Sequence, residues 1–269
     1  MLIYPGFDPI ALQLGPVAVR WYGLAYVAGM LGGLWYSKKI AVWHKAKNLT
    51  PDTLENFFIW AVIGIVAGGR LGYALFYGLD HLLRDPLWLL RVWEGGMSFH
   101  GGAAGVIAAI LIFAHHYKVH PADLADRIVP VVPLGLFFGR IANFINGELW
   151  GRHVPNPDAV PWAMVFPAVD PLPRHPSQLY EAGLEGIILG LLLWFIVRKG
   201  HAFRRWVPSG VFLLGYAATR TLAEFFREPE ITHNVLGLSI TQGQTLSLPL
   251  ALGGLLCLYL GYAHTPTRK

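Results

Sequence analysis

The chain has 269 residues, 54% of them apolar and only 14% charged, with a mean hydropathy of +0.46. Soluble domains carry roughly 25% charged residues, so this composition excludes a water-soluble globular domain and points to an integral membrane protein. The formal net charge of +5 suits anchoring to anionic lipid, and is too small and too scattered for a nucleic-acid footprint.

The chain starts MLIYPGFDPIALQLGPVAVRW, without a basic n-region, an apolar core and a small-residue cleavage site, so no cleavable signal peptide is expected. A bilayer core of about 30 Å needs about 20 mostly apolar residues per helix. Seven stretches meet that need: 18–37, 54–77, 99–115, 124–147, 177–197, 208–226 and 243–263. The single cysteine, Cys257, lies in the last of them, which excludes a disulfide, a cysteine zinc site or a redox pair within one chain. Between the fourth and fifth spans, residues 148–176 carry Pro155, Pro157, Pro161, Pro167, Pro171, Pro173 and Pro176. So many prolines oppose a helix and predict a stiff, compact head.

Loop basicity orients the spans, because Lys and Arg gather on the cytoplasmic side. The loops after spans one, three and five and the C-terminal tail hold Lys38, Lys39, Lys45, Lys47, Lys118, Arg198, Lys199, Arg204, Arg205, Arg268 and Lys269. The other side holds Arg20, Arg84, Arg91, Arg152, Arg174 and Arg227. This places the N-terminus outside, the C-terminus in the cytoplasm and the 148–176 segment as a small periplasmic head. No fixed-period repeat, low-complexity tract or soluble second domain is visible. The expected fold is an all-α integral membrane protein with seven transmembrane helices, one polytopic domain over 1–269.

Charges inside spans cost a few kcal/mol or more each, so each is a functional hypothesis. In this orientation Arg70, Arg140 and Arg220 share one depth, roughly 10 Å from the outer ends of spans two, four and six at about 1.5 Å per residue. Tyr22 and His100 begin spans one and three on that side, and Glu181 and Glu185 lie in the outer half of span five. In GRIANFING, Arg140, Asn143 and Gly147 fall at i, i+3 and i+7 on one helix face, and Tyr216, Arg220 and Glu224 form an i, i+4, i+8 stripe. The two stripes together make an anion pocket. Arginine suits it because its planar fork holds a phosphate bidentately and keeps its charge when buried. At headgroup depth the expected anion is a phospholipid phosphate.

Each position also has a plainer reading. Arg70 can snorkel to headgroups, Tyr22 can belong to the interfacial aromatic belt, and Glu181 and Glu185 can serve as structural partners of a neighbouring arginine. Arg140 and Arg220 can form buried ion pairs with Glu148 or Glu224. His100 stands in SFHGGAAG, where Gly101, Gly102 and Gly105 either pack helices closely or open room for a ligand beside an imidazole suited to general-base work. His44, His115, His116 and His120 read as solvated loop residues, and Asp126 with Arg127 as an ion pair opening span four. There is no H-E-x-x-H, Walker loop or G-x-S-x-G, and the aspartates lie mostly in loops or span ends, so metal-free chemistry is expected.

GRIANFINGELWG at 139–151 resembles the signature of the bacterial prolipoprotein diacylglyceryl transferases. VRWYGL at 19–24, LRVWEGGMSFHGG at 90–102, RHPSQLYEA at 174–182 and RTLAEFFREP at 220–229 resemble that family's other blocks, in the same order. Ala103 and Ala104 stand where the family often has larger aliphatics, and the loop before RHPSQLYEA is rather short. The resemblance implies an enzyme of the bacterial cytoplasmic membrane, with its active site in the outer leaflet, that needs no cofactor or metal. Its substrates are phosphatidylglycerol and the lipobox cysteine of a preprolipoprotein signal peptide. The diacylglyceryl group goes to the thiol and glycerol phosphate leaves. The resemblance further implies that Tyr22, His100, Arg140, Asn143, Glu148, Gly151, Tyr216, Arg220 and Glu224 carry the activity, with Arg140 as the phosphatidylglycerol contact and Arg220, Asn143 and Gly151 also binding substrate. The rival readings are a transporter or flippase for anionic phospholipid, for which an internal repeat or polar groups through the midplane would be expected, and a headgroup transferase with an acidic metal cluster.

Overall fold

The computed structural model describes residues 2–199, 204–229, 231–235 and 238–263. In chain order it runs through β1 (Leu2–Ile3), β2 (Ile10–Leu14), β3 (Val17–Arg20), α1 (Trp21–Trp43), α2 (Pro51–Phe76), α3 (Leu79–Arg84), α4 (Phe99–His116), α5 (Pro121–Ile128), α6 (Val132–Ile145), β4 (Met164–Val165), β5 (Pro173–Arg174), α7 (Ser177–Glu181), α8 (Leu189–Arg198), α9 (Val207–Ala223), β6 (Thr232–Val235), β7 (Leu238–Thr241) and α10 (Gln242–Ala263). A π-helical stretch, Ala182–Ile188, joins α7 to α8.

Five helical stretches among the described residues are long and apolar enough to cross a membrane: Pro51–Tyr77, Phe99–His116, Pro121–Ile145, Ser177–Arg198 and Gln242–Ala263. Only 17% to 39% of the residues in their most apolar windows are buried within the protein. Leu, Ile and aromatic side chains such as Ile63, Leu191 and Leu252 face outward instead, the surface expected of helices solvated by lipid. These five match the stretches expected at 54–77, 99–115, 124–147, 177–197 and 243–263. The stretches expected at 18–37 and 208–226 are also helical, as α1 and α9, the latter with 17 residues. Residues 18–20 belong to β3 and not to a helix, because the Gly15 turn, at φ +59°, folds Val17–Arg20 back onto β2 as a hairpin. Arg268 and Lys269, counted above for the C-terminal tail, lie outside the described residues.

Residues 37–127 form one compact unit. Thr50 caps α2 by accepting from the Thr53 amide at 3.2 Å, with Pro51 and Asp52 in the first turn. Ser98 caps α4 by accepting from the Gly101 amide at 3.2 Å. The two helices lie antiparallel with Gly64 and Gly68 against Gly101 and Gly105; a Cβ on Gly68 would stand 2.8 Å from Gly105 Cα. Close packing is therefore what Gly101 and Gly105 provide. Phe57 and Phe113, both buried, meet edge to face at 5.2 Å in its core.

The second unit comprises residues 1–36 and 128–269. Pro130 has no N–H to give, and the chain tightens there into a 3₁₀ turn, Val129–Val131, before α6. The proline-rich 148–176 segment is indeed not a long helix: it holds one short 3₁₀ turn, Pro157–Ala159, and strands β4 and β5, with β1 pairing parallel to β4. Tyr4, just after β1, stacks on Phe166 at 5.1 Å and donates to the Ile145 carbonyl at 2.6 Å, tying the chain start to the end of α6.

Candidate active site

Three arginines, of which Arg227 is buried and Arg140 and Arg220 are half-buried, meet three buried glutamates of the second unit in one cluster. Arg140 comes from α6, Glu181 from the end of α7 and Glu185 from the π-helical stretch, while Arg220 and Glu224 lie at the end of α9 and Arg227 just beyond it. The spacing explains the convergence: Glu181 and Glu185, like Arg220 and Glu224, are four residues apart and project from the same side of a helix. Glu181 Oε2 lies 2.7 Å from Arg140 Nε and 3.0 Å from Arg220 Nη1, and Glu181 Oε1 lies 3.4 Å from Arg227 Nη1. Glu224 Oε1 sits 2.5 Å from Arg220 Nη2. Glu185 contacts Arg140 Nη2 at 3.4 Å and Arg220 Nη1 at 3.7 Å.

Arginine exposure is where this cluster opens. Glu181 and Glu185 are fully buried, but the side chains of Arg140 and Arg220 keep 15% and 14% of their surface. The N–H on Arg140 Nε does not point along the contact to Glu181, and Arg140 Nη1 has no protein partner among the described residues. One edge of the Arg140 fork is thus held by carboxylates and the other is available to an anion. Tyr216, one turn before Arg220, is close enough to Arg140 and Glu185 to interact with both charges.

Beyond α6 the chain turns sharply. Gly147, at φ +67°, occupies the left-handed position that ends the helix, and Leu149 repeats it at φ +57°. This turn sends the Glu148 carboxylate back onto the helix, where it accepts from Asn143 Nδ2 at 2.8 Å and Asn146 Nδ2 at 3.3 Å. The expected pairing of Glu148 with an arginine is therefore corrected: two asparagine amides hold it, while Glu181, Glu185 and Glu224 serve the arginines. Gly151 comes next, between the backbones of His175 and Phe226; a Cβ there would press on both carbonyls, standing 2.6 Å from that of Phe226. Its N–H donates to the His175 carbonyl at 3.0 Å and its carbonyl accepts from Arg174 Nη1 at 3.1 Å, so both its backbone groups are spent inside the protein.

Arg174 organises the adjoining head. It pairs with Asp170 at 2.5 Å and with Glu228 at 3.1 Å, and lies 4.3 Å above the Trp150 ring. Its hydrogen bonds hold the Asp170 carboxyl below the usual value, while burial lowers that of the neighbouring His175 imidazole.

A family model described as prolipoprotein diacylglyceryl transferase matches residues 9–260. The chain belongs to that family. A protein of Sinorhizobium medicae, named phosphatidylglycerol–prolipoprotein diacylglyceryl transferase, is 50% identical over 264 residues, covering 95% of this chain and 92% of its own. Proteins of the same name from Rhodospirillum centenum and Rhodospirillum rubrum are each 49% identical over 257 residues, covering 94% of this chain and 91% and 92% of theirs. The transferase family suggested by the five sequence blocks is thus the family found.

Of the residues expected in the site, Arg140, Arg220, Glu224 and Tyr216 come together, and Asn143 and Glu148 sit on the adjoining turn. Tyr22, on α1, is half-buried with its ring 5.2 Å from that of Tyr26. His100 belongs to the other unit, where it is exposed at the second position of α4, beside Phe99. Arg70, in that same unit, is not an anion-binding arginine. Its guanidinium donates to the carbonyls of Trp88 at 2.7 Å and Leu89 at 3.2 Å and to that of Gly95, and it stacks on Trp88 at 4.3 Å. The expected three-arginine layer loses this member because nearby backbone carbonyls occupy its donors. Arg227, which loop basicity reads only as an outer loop cation, stands seven residues after Arg220, a readable two-turn repeat. Gly243, whose added Cβ would stand 2.6 Å from Glu224 Cδ, left no signal.

Proposed function

We infer that the chain transfers the diacylglyceryl group of phosphatidylglycerol to the cysteine thiol of a prolipoprotein and releases glycerol phosphate. Family membership over nearly the whole chain carries the reading, and the free edge of the Arg140 fork gives it a chemical location. The reaction is an alkyl transfer. The thiol loses its proton, sulfur attacks the glycerol carbon that bears the phosphate, and the C–O bond breaks with its electron pair going to the departing phosphate. Arg140 binds the phosphate and, with Arg220, stabilises the charge that develops on it in a low-dielectric setting. Glu224 keeps Arg220 in place. Asn143 and Tyr216 orient the headgroup, Glu148 fixes the turn after Arg140, and Gly151 lets that turn lie against the 226–228 segment. Tyr22 completes the site on the α1 side. His100 is assigned as the base that raises the thiolate fraction of the substrate cysteine, whose ordinary pKa is about 8.5. No cofactor or metal enters the scheme.

In this reading α1 and α9 cross the membrane with the five more apolar stretches, giving seven spans in a single polytopic domain. The N-terminus and the 148–176 head face the periplasm, so the arginine cluster lies in the outer leaflet of the cytoplasmic membrane. The excess of Lys and Arg in the loops assigned to the inner side supports the orientation. A transporter or flippase for anionic lipid is disfavoured, since the relatives are named as transferases.

Purified protein incubated with phosphatidylglycerol and a lipobox peptide should yield a peptide heavier by a thioether-linked diacylglyceryl group; an unmodified peptide would refute the assignment. Single cysteines in 148–176 should react in spheroplasts with a membrane-impermeant thiol reagent, and cysteines in 198–206 should not. The reverse pattern would place the cluster in the inner leaflet.

A further inference from the structure

The three buried carboxylates of the cluster are unequally held. Glu181 touches all three arginines, at 2.7, 3.0 and 3.4 Å, and Glu224 holds Arg220 at 2.5 Å. Glu185 is fully buried yet reaches Arg140 only at 3.4 Å and Arg220 at 3.7 Å, and its Oε1 accepts no hydrogen bond among the described residues. A buried charge is tolerated where close pairing and hydrogen bonds offset its lost hydration; Glu185 has the longest pairing of the three, and of its two oxygens only Oε2 accepts a hydrogen bond among the described residues, from Arg140 Nη2. Its backbone cannot withdraw, because the next residue, Gly186, is pressed on α6 so closely that a Cβ would lie 2.7 Å from Phe137 Cβ. It also sits in a π-helical stretch, an irregularity that recurs at functional sites.

Charge arithmetic gives this loose contact a meaning. Arg140, Arg220 and Arg227 already balance Glu181, Glu185 and Glu224. An incoming phosphodiester adds one negative charge; the free Nη1 of Arg140 can receive it, but to engage Arg140 Nη2 or Arg220 Nη1 as well it must compete with the carboxylates already there. The carboxylate that gives way most readily is the one with the longest contacts.

We propose that Glu185 is an internal anion that competes with the lipid phosphate for Arg140 and Arg220 and so sets the affinity for the headgroup. It is a positioning residue. Without lipid it draws the two forks toward each other; with phosphate bound it yields its two long contacts, while Glu181 and Glu224 keep the arginines in place. The proposal rests on the phosphate-binding reading of Arg140 given above.

Glu185→Gln removes the charge and keeps the shape. It should lower the KM for phosphatidylglycerol in mixed micelles by about threefold to tenfold, the range typical of directly coupled neighbours, without a matching rise in kcat. Calorimetric titration with glycerol phosphate, which needs no turnover, should show tighter binding by a similar factor. Glu185→Asp, still charged but one methylene shorter, should tighten both by less than Glu185→Gln does, whereas Glu181→Gln should weaken both. A damaged site binds more weakly, so tightening is not a consequence of misfolding. Should the glutamine variant not be recovered, Glu185→Met, similar in size and uncharged, must show the same sign. Unchanged or weaker glycerol phosphate binding in the uncharged variants would overturn the proposal while wild-type transfer stands. Loss of wild-type transfer would instead overturn the functional assignment.

Discussion

Arg70 and Arg140 are both arginines inside apolar helices, each preceded by a glycine and followed by an aliphatic residue. Their surroundings differ completely. Arg70 is 2% exposed and spends its donors on the carbonyls of Trp88, Leu89 and Gly95. Neutral carbonyls satisfy an arginine's hydrogen bonds without cancelling its charge, and here they staple a loop of the chain to α2. Arg140 is met by carboxylates along one edge and left open along the other. A buried arginine becomes a ligand site when its charge is balanced and its donors are not all taken.

The sharpest test removes each in turn. Arg140→Ala should abolish transfer, by more than about a hundredfold in kcat/KM, because the contact acts on charge developing in the transition state. Arg140→Lys should be poor as well, since a point charge cannot reproduce the fork. Turnover within about tenfold of wild type, equal to only about 1.4 kcal/mol of barrier, would demote Arg140 to a packing residue and erase the contrast with Arg70.

His100 shares a unit with Arg70 but not its satisfied environment, being exposed at the start of α4. As the base, its replacement in His100→Gln should depress kcat strongly near pH 7 at saturating phosphatidylglycerol. Raising the pH toward about 8.5 should restore part of it, because solvent then supplies thiolate. A rate that stays low at every pH would make His100 a positioning residue; a near-normal rate at pH 7 would remove it from the mechanism.

Arg70→Leu should act on the fold. Carbonyls lose a charged donor, a cost of about 1–3 kcal/mol for buried groups left unpaired, visible as a lower thermal midpoint in detergent. The kcat of the folded fraction should stay within about threefold of wild type. A specific loss of kcat with an unchanged midpoint would put Arg70 back among the anion-binding arginines.

Helical periodicity and apolar length made most of the helices legible, because both are local properties of sequence. The Tyr216, Arg220 and Glu224 stripe was legible for the same reason, as were Glu181 and Glu185 as arginine partners. What distinguishes Arg70 from Arg140 was not legible. Its partners are backbone carbonyls 18 to 25 residues away, and a carbonyl carries no letter in the sequence. The placement of Glu148 failed for a related reason: two left-handed residues, Gly147 and Leu149, decide where its carboxylate points, and Leu149 gives no warning of that conformation. The β2–β3 hairpin and the antiparallel pairing of β6 with β7 hid in segments read as loop or span end.

Arg174 offers a third environment and the smallest effect. It lies in the head, paired with the more accessible Asp170 and stacked on Trp150, where water screens the pair. Two head groups titrate differently in the folded protein. Burial lowers His175 from its ordinary 6.5, so the unfolded chain binds that proton more readily and stability falls as pH drops below about 6.5. Asp170 is lowered from 3.8 by the Arg174 hydrogen bonds; its stabilising contribution is present above that value and is lost only as pH falls further, through its folded value. Acidification should therefore lower the thermal midpoint in two steps, His175 first. His175→Gln should flatten the first step and leave the second, and Asp170→Asn should do the opposite, each by no more than about a few degrees. A first step that persists in His175→Gln would mean that another group, outside the head, governs the loss of stability between pH 7 and 5.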